Sequence, residues 1–525
     1  MRRVEMKTPD SQAGAWPSMS GSRDRRSFSF LSSRKPRAAD LVFILVAMWC
    51  LVRLGPHLLD DSDTMWHLRL GDDILRTGSF PAVDTLSCTR FGTHWVNQSW
   101  GFDVVLALVA RWGGWSGVIG ATAMAISWTY WMLARGLTRA GFSTIAVLAA
   151  TVLAARLGMI HYLARPHIVS FAFFVWFLSA SRDLHFGLSR RLWLAPALMV
   201  VWANCHGGFV AGWAALAVAI GGHVAEGPWD SAWRARFWRF AAISALCLIA
   251  PLANPQGIGL YRHVFGFLGA FGASDLNREF QPLQFQESNI TMGEWLVIAL
   301  IALPSLSRSP QTRFDLAQSL AWMHLGLASV RYLPFFGIAA APGIARMVQG
   351  ALPEPEPDPK SREESRDRPA GLNRPWIPLA ATLALAIALS MGWKLGGLNG
   401  ERYPVAAMAT INPLPLDEPI FHEMNWGGVI SWECRPRRLN RIDNRFEVFG
   451  YEMILEHLAA LAGGDAWRKV MDRDGYRTVW LKPERPLAQH LEADAEHWRV
   501  LHKDRVSIVL RRVGDIADRG SESLR

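Results

Sequence analysis

Long apolar runs separated by short polar segments extend along residues 39–393. Most runs are as long, or nearly as long, as the roughly 20 residues that an α-helix needs to cross a bilayer. The pattern predicts about eleven spans, and several are short enough for one of them to be re-entrant. We therefore expect an all-α multi-pass membrane bundle, with spans at 39–56, 115–134, 142–160, 165–182, 192–205, 207–224, 237–253, 293–307, 314–330, 332–349 and 375–393.

Polar stretches flank and interrupt these runs and divide the chain into domains. Residues 1–38 form an Arg/Ser-rich tail and residues 352–374 form a charged linker, and both have the composition of disordered segments. The membrane domain is expected at 39–351, including a first outer loop at 57–114. The last span, at 375–393, follows the linker.

Residues 394–525 regain the character of a soluble domain. Short β-branched and aromatic runs predict strands at 420–422, 428–432, 479–481 and 506–510. Helices are expected at 448–463 and 486–497. These elements predict a small extramembrane α/β domain at the C-terminal end of the bundle.

The charge distribution orients the spans. The chain has 55 Lys and Arg against 45 Asp and Glu, a net charge of +10, and residues 1–38 alone carry +6. Because Lys and Arg concentrate in cytoplasmic loops, the tail, the linker and alternate loops are expected inside: those loops hold Arg135, Arg139, Arg182, Arg190, Arg191, Arg234, Arg236, Arg239, Arg308 and Arg313. The domain 394–525 is then outside. The first apolar run lacks a small-residue cleavage site, so we expect an uncleaved helix.

The composition excludes several classes of protein. With 50% hydrophobic and 19% charged residues, the chain is neither disordered nor an ordinary soluble protein. The excess positive charge is a topology signal, so no nucleic-acid partner is expected. Five Cys form no disulfide scaffold, although Cys88 and Cys434 are both predicted outside and their pairing stays open. No phosphate-binding loop, dinucleotide fingerprint or nucleophile elbow occurs, which argues against an ATP-driven pump or a serine hydrolase.

The first outer loop carries acidic residues at the start of an amphipathic helix. Asp61 and Asp63 precede a segment whose charged residues share one sector, as in a helix lying along the membrane surface: Arg69, Asp72, Asp73 and Arg76. Carboxylates at such a place can act as a general base or bind a cation. An equally weighted alternative is that Asp61 or Asp63 only caps the helix.

Other outer-face positions are short and polar. Arg165 and Arg331 lie at the outer ends of spans, against the positive-inside trend, and a planar guanidinium there suits a phosphate. The alternative is an arginine that reaches the lipid headgroups. His67, His94, His167 and His206 lack the close spacing of a zinc site, so we assign no metal and expect no cofactor.

The order of these motifs resembles a group of bacterial multi-pass proteins of the GT-C glycosyltransferase superfamily. That superfamily includes the dolichyl-phosphate-mannose:protein mannosyltransferases and the lipid A aminoarabinose transferases. The resemblance extends over about 40–512 and rests on Asp61-Ser62-Asp63, Trp66-His67, Gly71, Pro81, Asp84, Ser87, Thr89, Gly92, Trp95, Arg165-Pro166-His167, Asn204-Cys205-His206-Gly207-Gly208, Asn254-Pro255-Gln256-Gly257, Arg331, Asn425-Trp426-Gly427-Gly428 and Ile442-Asp443-Asn444-Arg445.

The resemblance implies a transferase that uses a polyprenyl-phosphate sugar on the outer face of the bacterial plasma membrane. Asp61 or Asp63 would deprotonate the acceptor, and Arg165 or Arg331 would hold the lipid phosphate. The substrate-binding set implied in this way is His67, Asp84, Arg165, His167, Asn204, His206 and Arg331. The Asp-Glu pair of the mannosyltransferases and the Trp-Trp-Asp-Tyr-Gly motif of the oligosaccharyltransferases are absent. A glycan, a lipid and a protein therefore all stay open as the acceptor.

Two other functions remain open at this point. A transporter or flippase for a lipid-linked substrate would need ionisable residues deep within the spans, whereas most of those found here lie at span ends. A non-catalytic assembly factor would use the domain 394–525 to bind partners.

Overall fold

The computed structural model describes residues 37–269, 278–284, 291–309, 311–353, 375–434 and 437–513. The predicted tail 1–38 and linker 352–374 lie almost wholly outside the described residues. Helices dominate the described part, as expected, and a small sheet lies near the C-terminal end.

Thirteen helices precede the C-terminal domain in the described residues. They are α1 Ala38–Met48, α2 Asp63–Thr77, α3 Trp100–Arg139, α4 Thr144–Gly158, α5 His167–His185, α6 Ala195–Cys205, α7 Val210–Glu226, α8 Ser231–Ile249, α9 Ile258–Gly269, α10 Thr291–Leu306, α11 Arg313–Ala328, α12 Leu333–Ala351 and α13 Trp376–Ser390.

Five helical segments of the described part are long and apolar enough to cross a membrane: Ala38–Leu59, Trp100–Arg139, Thr144–His161, Gly207–Glu226 and Ser231–Ala253. Three shorter apolar helices cover Arg191–Cys205, Gly293–Pro304 and Trp376–Ser390. The chain is therefore a multi-pass membrane protein, but the expected count of about eleven spans is not confirmed.

Helix α3 begins earlier than the predicted span at 115–134. It starts at Trp100 and passes through a kink at Gly114, where φ is +54°. Glycine adopts this conformation without the steric cost that a Cβ imposes. The N-terminal part of α3 therefore packs under α2, inside the segment that the sequence assigned to the first outer loop.

Helix α2 lies against α3 at very short range. A Cβ added to Gly71 would be 1.9 Å from the carbonyl oxygen of Asp103. Only a glycine leaves room for the α3 backbone here. The contact fixes the face of α2 that carries Asp63 and His67.

The described part of the C-terminal domain contains five further α-helices and four strands: α14 Met408–Ile411, α15 Gly427–Glu433, α16 Phe446–Leu461, α17 Ala466–Asp474, α18 Pro486–Ala493, β1 Ile420–His422, β2 Thr478–Leu481, β3 Trp498–Lys503 and β4 Ile508–Arg512. The sheet has the order β1-β2-β4-β3. β1 is parallel to β2, whereas β4 is antiparallel to both β2 and β3. The predicted small α/β domain is present.

One predicted strand of this domain is wrong. Residues 428–432 belong to α15, and the strand β3 was not predicted. The two glycines at the start of α15 explain its position: a Cβ on Gly428 would be 2.1 Å from the carbonyl oxygen of Ser62, and one on Gly427 would be 2.3 Å from that of Ile442. Helix α15 thus lies directly against the start of α2 and joins the C-terminal domain to the first outer loop.

Replacing Gly71 with Ala is expected to destabilise the protein, because α2 and α3 would have to separate. Overpacking of this kind costs about 1–3 kcal/mol and would lower the Tm of the detergent-solubilised protein. Gly221→Ala is the matched control, since no atom outside its own helix lies within 4 Å of the added Cβ. An unchanged Tm for Gly71→Ala would contradict the close packing.

Candidate active site

A cavity of about 370 Å³ lies where the start of α2, the ends of several membrane helices and the C-terminal domain meet. Its polar lining side chains include Asp63, His67, Gln98, His161, Arg165, His167, His206, Glu279, Arg331 and Asn444. Its apolar lining side chains include Phe171, Val210, Ala211, Ala214, Val264, Trp322, Leu325 and Phe335. The cavity therefore combines polar and apolar surface.

The structure brings most of the sequence-predicted site residues to this cavity: Asp63, His67, Arg165, His167, His206 and Arg331. Asp61 does not line it but contacts Arg165. Asp84 and Asn204 lie away from it, among other polar groups. Gln98, Glu279 and Asn444 line the cavity and were not singled out as ligand-binding residues from the sequence.

Arg165 is an ionic centre among the polar lining residues. One of its terminal nitrogens lies 2.9 Å from Asp61 Oδ2 and 2.8 Å from Glu279 Oε1, and the other lies 2.8 Å from Asp63 Oδ2. Burial raises the pKa of Glu279, but the positive charges around it, Arg165 first, outweigh burial and hold the pKa below its ordinary value. The charge of Arg165 is fully matched by these carboxylates.

Asp61 and Asp63 have different environments. Asp61 accepts the backbone N–H of Asp63 at 2.8 Å through Oδ1 and contacts Arg165 through Oδ2. Asp61 thus satisfies the first backbone N–H of α2, although the N-cap residue is Ser62, which makes no side-chain cap. Asp63 contacts Arg165 through Oδ2, but its buried Oδ1 has no hydrogen-bond partner among the described residues. Asp63 is thus the carboxylate that can take a further hydrogen bond or a proton.

The pKa of Asp63 supports this distinction. Burial and the nearby negative charge of Asp61 raise the pKa to about 7, more than the positive charge of Arg165 lowers it. A general base works best when its pKa lies near the working pH. Asp63 therefore has the electrostatic setting of a catalytic base.

Arg331 differs from Arg165 in its partners. Its guanidinium lies over the ring of Phe280, 4.9 Å from the ring centroid, and forms no ion pair with any carboxylate that the structure describes. A guanidinium that faces a cavity and makes no ion pair among the described residues is suited to an anionic ligand. A phosphate can therefore bind Arg331 without displacing an ion pair that the structure describes.

Three histidines of the cavity have defined hydrogen bonds. His67 Nδ1 donates to Asp103 Oδ1 at 2.6 Å, and Asp103 Oδ2 accepts from Asn97 at 2.8 Å. His206 Nδ1 accepts from Ser170 Oγ at 2.7 Å and from the Gly208 N–H at 3.2 Å. His167 Nε2 donates to the His161 carbonyl at 2.6 Å.

Asp103 is a site residue that sequence reasoning missed. The span predicted at 115–134 left Asp103 in a loop, whereas it lies in the first turn of α3 and is fully buried. A buried acidic residue at the start of an apolar helix is costly unless it is paired. The sequence Ser99-Trp100-Gly101-Phe102-Asp103 would have revealed it if the helix start had been placed at Trp100.

Asp84 and Asn204 have structural surroundings. Asp84 is fully buried and accepts from the backbone N–H of Leu86 and Ser87, from the Ser87 hydroxyl, and from Arg445 at 2.7 Å. Asn204 Oδ1 accepts from Trp100 at 2.7 Å. Both side chains are engaged in holding loops and helix ends, so their proposed role shifts from binding substrate to positioning the scaffold.

The C-terminal domain supplies one wall of the cavity through residues 444–447. Arg445 holds this segment, because it pairs with Asp84 at 2.7 Å and with Asp443 at 2.8 Å. All three side chains are buried. Residues 444–447 are therefore tied to the first outer loop.

Two other questions raised by the sequence concern Cys and metals. Cys88 and Cys434 are both free thiols, and Cys434 is buried beside Met408, so they form no disulfide. Within the described residues, no group of three or more His, Cys, Asp or Glu is arranged to hold a metal ion.

Comparisons with known proteins concern the fold. No protein-family profile matches the chain, and no curated protein matches its sequence. The crystal structure of ArnT from Cupriavidus metallidurans bound to undecaprenyl phosphate has a TM-score of 0.52 at 12% identity, over 91% of this chain and 98% of that one. The archaeal oligosaccharyltransferase AglB from Archaeoglobus fulgidus, in complex with an inhibitory peptide and a dolichol-phosphate, has a TM-score of 0.49 at 12% identity, over 85% and 69%.

The comparison with ArnT bears on the fold. The fold of the chain is similar to that of ArnT over nearly the whole of both chains, in agreement with the resemblance drawn from the sequence motifs. At 12% identity the likeness concerns the fold alone. What the cavity does is therefore argued from its own residues.

Replacing Arg445 with Met is expected to destabilise the protein strongly. The substitution leaves Asp84 and Asp443 buried without their counter-ion, which costs about 3–5 kcal/mol. Thermal unfolding of the purified protein measures the loss as a lower Tm. Arg505→Met is the control, because Arg505 pairs with Glu401 at the exposed surface, where ion pairs contribute at most about 1 kcal/mol. Equal Tm values for the two variants would refute the role of Arg445.

Proposed function

We propose that this protein transfers a sugar from a polyprenyl-phosphate donor to an acceptor on the outer face of the bacterial plasma membrane. The observation that carries the proposal is the single cavity in which a base, an unpaired arginine and an apolar region lie together. A polyprenyl-phosphate sugar has matching parts: an apolar chain, an anionic phosphate and a sugar. The relative of the same fold bound to undecaprenyl phosphate supports this class of lipid.

The apolar region is suited to a lipid chain. Val210, Ala211 and Ala214 offer small side chains along one part of α7, which leaves space between helices. Opposite them, the ring of Phe335 stacks on Trp322 at 5.5 Å and packs edge-on against Phe171 at 5.3 Å. Burial of apolar groups against such a wall is favourable in proportion to the area removed from water.

The phosphate is assigned to Arg331. Because Arg165 already neutralises several carboxylates, it holds the acidic residues in place and is the weaker candidate for a ligand. Arg331 has its guanidinium available, and a guanidinium can bind two phosphate oxygens in one plane. As the bond to the sugar breaks, charge grows on the leaving phosphate, and a fixed cation stabilises that charge.

Asp63 is assigned as the base. A hydroxyl group of the acceptor attacks the anomeric carbon of the donor sugar and forms the new glycosidic bond. The bond between that carbon and the phosphate oxygen breaks, and polyprenyl phosphate leaves with the electron pair. The hydroxyl proton passes to Asp63, whose Oδ1 has no other partner among the described residues.

The competing functions make different predictions about the same cavity. A transporter or flippase would move the lipid-linked substrate without forming a glycan product. An assembly factor would tolerate loss of Asp63. In the described structure, the charged groups that line the cavity are at the ends of helices and in loops, which fits transfer at the outer surface better than passage through the bundle. The cytoplasmic placement of the N-terminus remains part of this proposal.

Asp63→Asn is expected to abolish sugar transfer in membranes, since the amide cannot take the acceptor proton. A loss of about 10²–10⁴-fold is typical for a general base. In the wild type, the rate should rise with pH through about 7, because the ionised form of Asp63 is lost as the pH falls through its raised pKa. The measurement is the rate of sugar transfer as a function of pH.

Asp61→Asn is the matched variant for this experiment. It removes the negative charge that raises the pKa of Asp63, so transfer should persist and the half-maximal rate should move to lower pH. The double substitution of Asp61 and Asp63 should be inactive. Full activity of Asp63→Asn, or loss of activity in Asp61→Asn alone, would overturn the assignment of the base.

Arg331→Met is expected to weaken binding of the donor, because the cavity loses its unpaired cation. Loss of a charge-assisted hydrogen bond costs about 1.5–3 kcal/mol, which corresponds to roughly 10- to 150-fold in the donor KM. Arg331→Lys should recover part of it, since Lys keeps the charge but not the planar fork. Arg499→Met, at an exposed position of β3, is the control. A donor KM unchanged in Arg331→Met would contradict the phosphate assignment.

A further inference from the structure

Several side chains that line the cavity carry polar atoms without a hydrogen-bond partner among the described residues. They include Asp63, His67, Gln98 and Asn444, the set that we call the hydroxyl wall. Oδ1 of Asp63 is buried and unpartnered. Nε2 of His67 and the carboxamides of Gln98 and Asn444 also make no hydrogen bond within the described part of the chain. In a folded protein, such groups are normally paired with protein, water or a ligand.

The ring of His67 is held in one orientation. Nδ1 donates to Asp103, and the carboxylate of Asp103 is itself held by Asn97. Trp66 lies against the imidazole at a centroid distance of 3.6 Å, and Phe102 packs on it edge-on at 5.7 Å. An imidazole that donates from Nδ1 carries a lone pair on Nε2 when it is neutral, and Nε2 can then act as an acceptor.

The positions of Asp63 and His67 constrain what can bind between them. They are four residues apart on α2, so they lie on the same face with Cβ atoms roughly 5–6 Å apart. Both are hydrogen-bond acceptors, and a single hydroxyl donates only one hydrogen bond. A ligand that satisfies both must therefore carry at least two donor hydrogens, as two adjacent hydroxyl groups do.

The remaining members of the hydroxyl wall favour hydroxyl groups as those donors. Gln98 and Asn444 are neutral carboxamides, and each offers both a donor and an acceptor. Hydroxyl groups also donate and accept, so adjacent hydroxyls on a sugar ring match this set. A Ser or Thr side chain brings one hydroxyl and leaves the second acceptor unmatched.

We propose that the hydroxyl wall binds a carbohydrate acceptor, so that the reaction extends a glycan. This inference rests on the proposed function. One hydroxyl of the acceptor sugar loses its proton to Asp63 as it attacks the donor, and a neighbouring hydroxyl donates to Nε2 of His67. Asp103 is a positioning residue, which acts by keeping the proton of His67 on Nδ1.

The test measures binding of simple sugars to the full chain in lipid nanodiscs by saturation-transfer NMR. The probes are methyl glycosides of the common hexoses, with N-acetyl-serine amide and N-acetyl-threonine amide as competing ligands. At least one glycoside should bind, and the amino-acid amides should not. His67→Ala should weaken glycoside binding by about tenfold, the loss expected for one hydrogen bond, and His67→Gln should recover part of it.

Asp103→Asn tests the orientation of His67. The amide can donate to Nδ1, which places the imidazole proton on Nε2 and turns the acceptor into a donor. Glycoside binding should then fall about as far as in His67→Ala. Combining the two substitutions should add little. In turnover assays the KM for the sugar acceptor should rise while the KM for the donor stays unchanged, a split that general destabilisation would not produce.

The matched control is a second His–Asp pair of the same chain. His497 Nδ1 lies 2.8 Å from Asp494 Oδ1 at the exposed surface of the C-terminal domain. His497→Ala and Asp494→Asn should leave glycoside binding unchanged. Preference for the amino-acid amides, absence of glycoside binding, or wild-type binding in His67→Ala and Asp103→Asn would overturn the proposal.

The proposed transfer and the proposed acceptor can fail separately. Release of polyprenyl phosphate from a polyprenyl-phosphate hexose reports on the donor reaction alone. If donor turnover occurs but glycosides do not bind, the carbohydrate acceptor is refuted and the transferase stands. If glycosides bind through His67 but no donor is turned over, the hydroxyl wall stands as a sugar site and the transferase is refuted.

Discussion

Charge matching around Arg165 is the constraint on which the rest of the site depends. Asp61 and Asp63 at the start of α2 and Glu279 from a later loop all contact one guanidinium. Carboxylates this close repel one another, and a partly buried place strengthens the repulsion. The arginine at the start of α5 offsets it and thereby fixes α2 against the membrane helices. Because its charge is used in this way, the proposed phosphate site is assigned to a second arginine, Arg331.

The number of hydrogen-bonded polar atoms on each side chain distinguishes the structural residues from the residues of the proposed site. Asp84, Asn204 and Arg445 are polar residues whose atoms are engaged with neighbouring protein groups, and they hold loops in place. Asp63 and His67 each use one polar atom to fix the side chain and keep the other for the cavity. A residue that is half engaged is both oriented and reactive, and this arrangement reduces the reorganisation needed when a ligand binds.

The sequence predicts the membrane bundle, the amphipathic helix after Asp61 and the clustering of polar motifs at the outer ends of helices, because these follow from hydropathy, helical periodicity and Arg placement. It does not reveal Asp103, since the start of α3 carries polar residues and a glycine kink that conceal an apolar helix. It also misassigns 428–432 as a strand. The β-branched and aromatic residues there favour a strand locally, but Gly427 and Gly428 let a helix pack against Ser62. Such a tertiary contact cannot be read from local propensity.

The join between α15 and the start of α2 has a consequence for how the protein is made. Residues separated by about 70% of the chain meet in this region: Gly428 packs on Ser62, and Arg445 pairs nearby with Asp84. Contacts between distant parts of a chain form late, because the entropy of closing a long loop must first be overcome. The first outer loop therefore leaves the ribosome long before the wall that completes its cavity exists. During synthesis, the acidic start of α2 is therefore exposed at first. The cavity becomes enclosed only when the C-terminal domain folds against it.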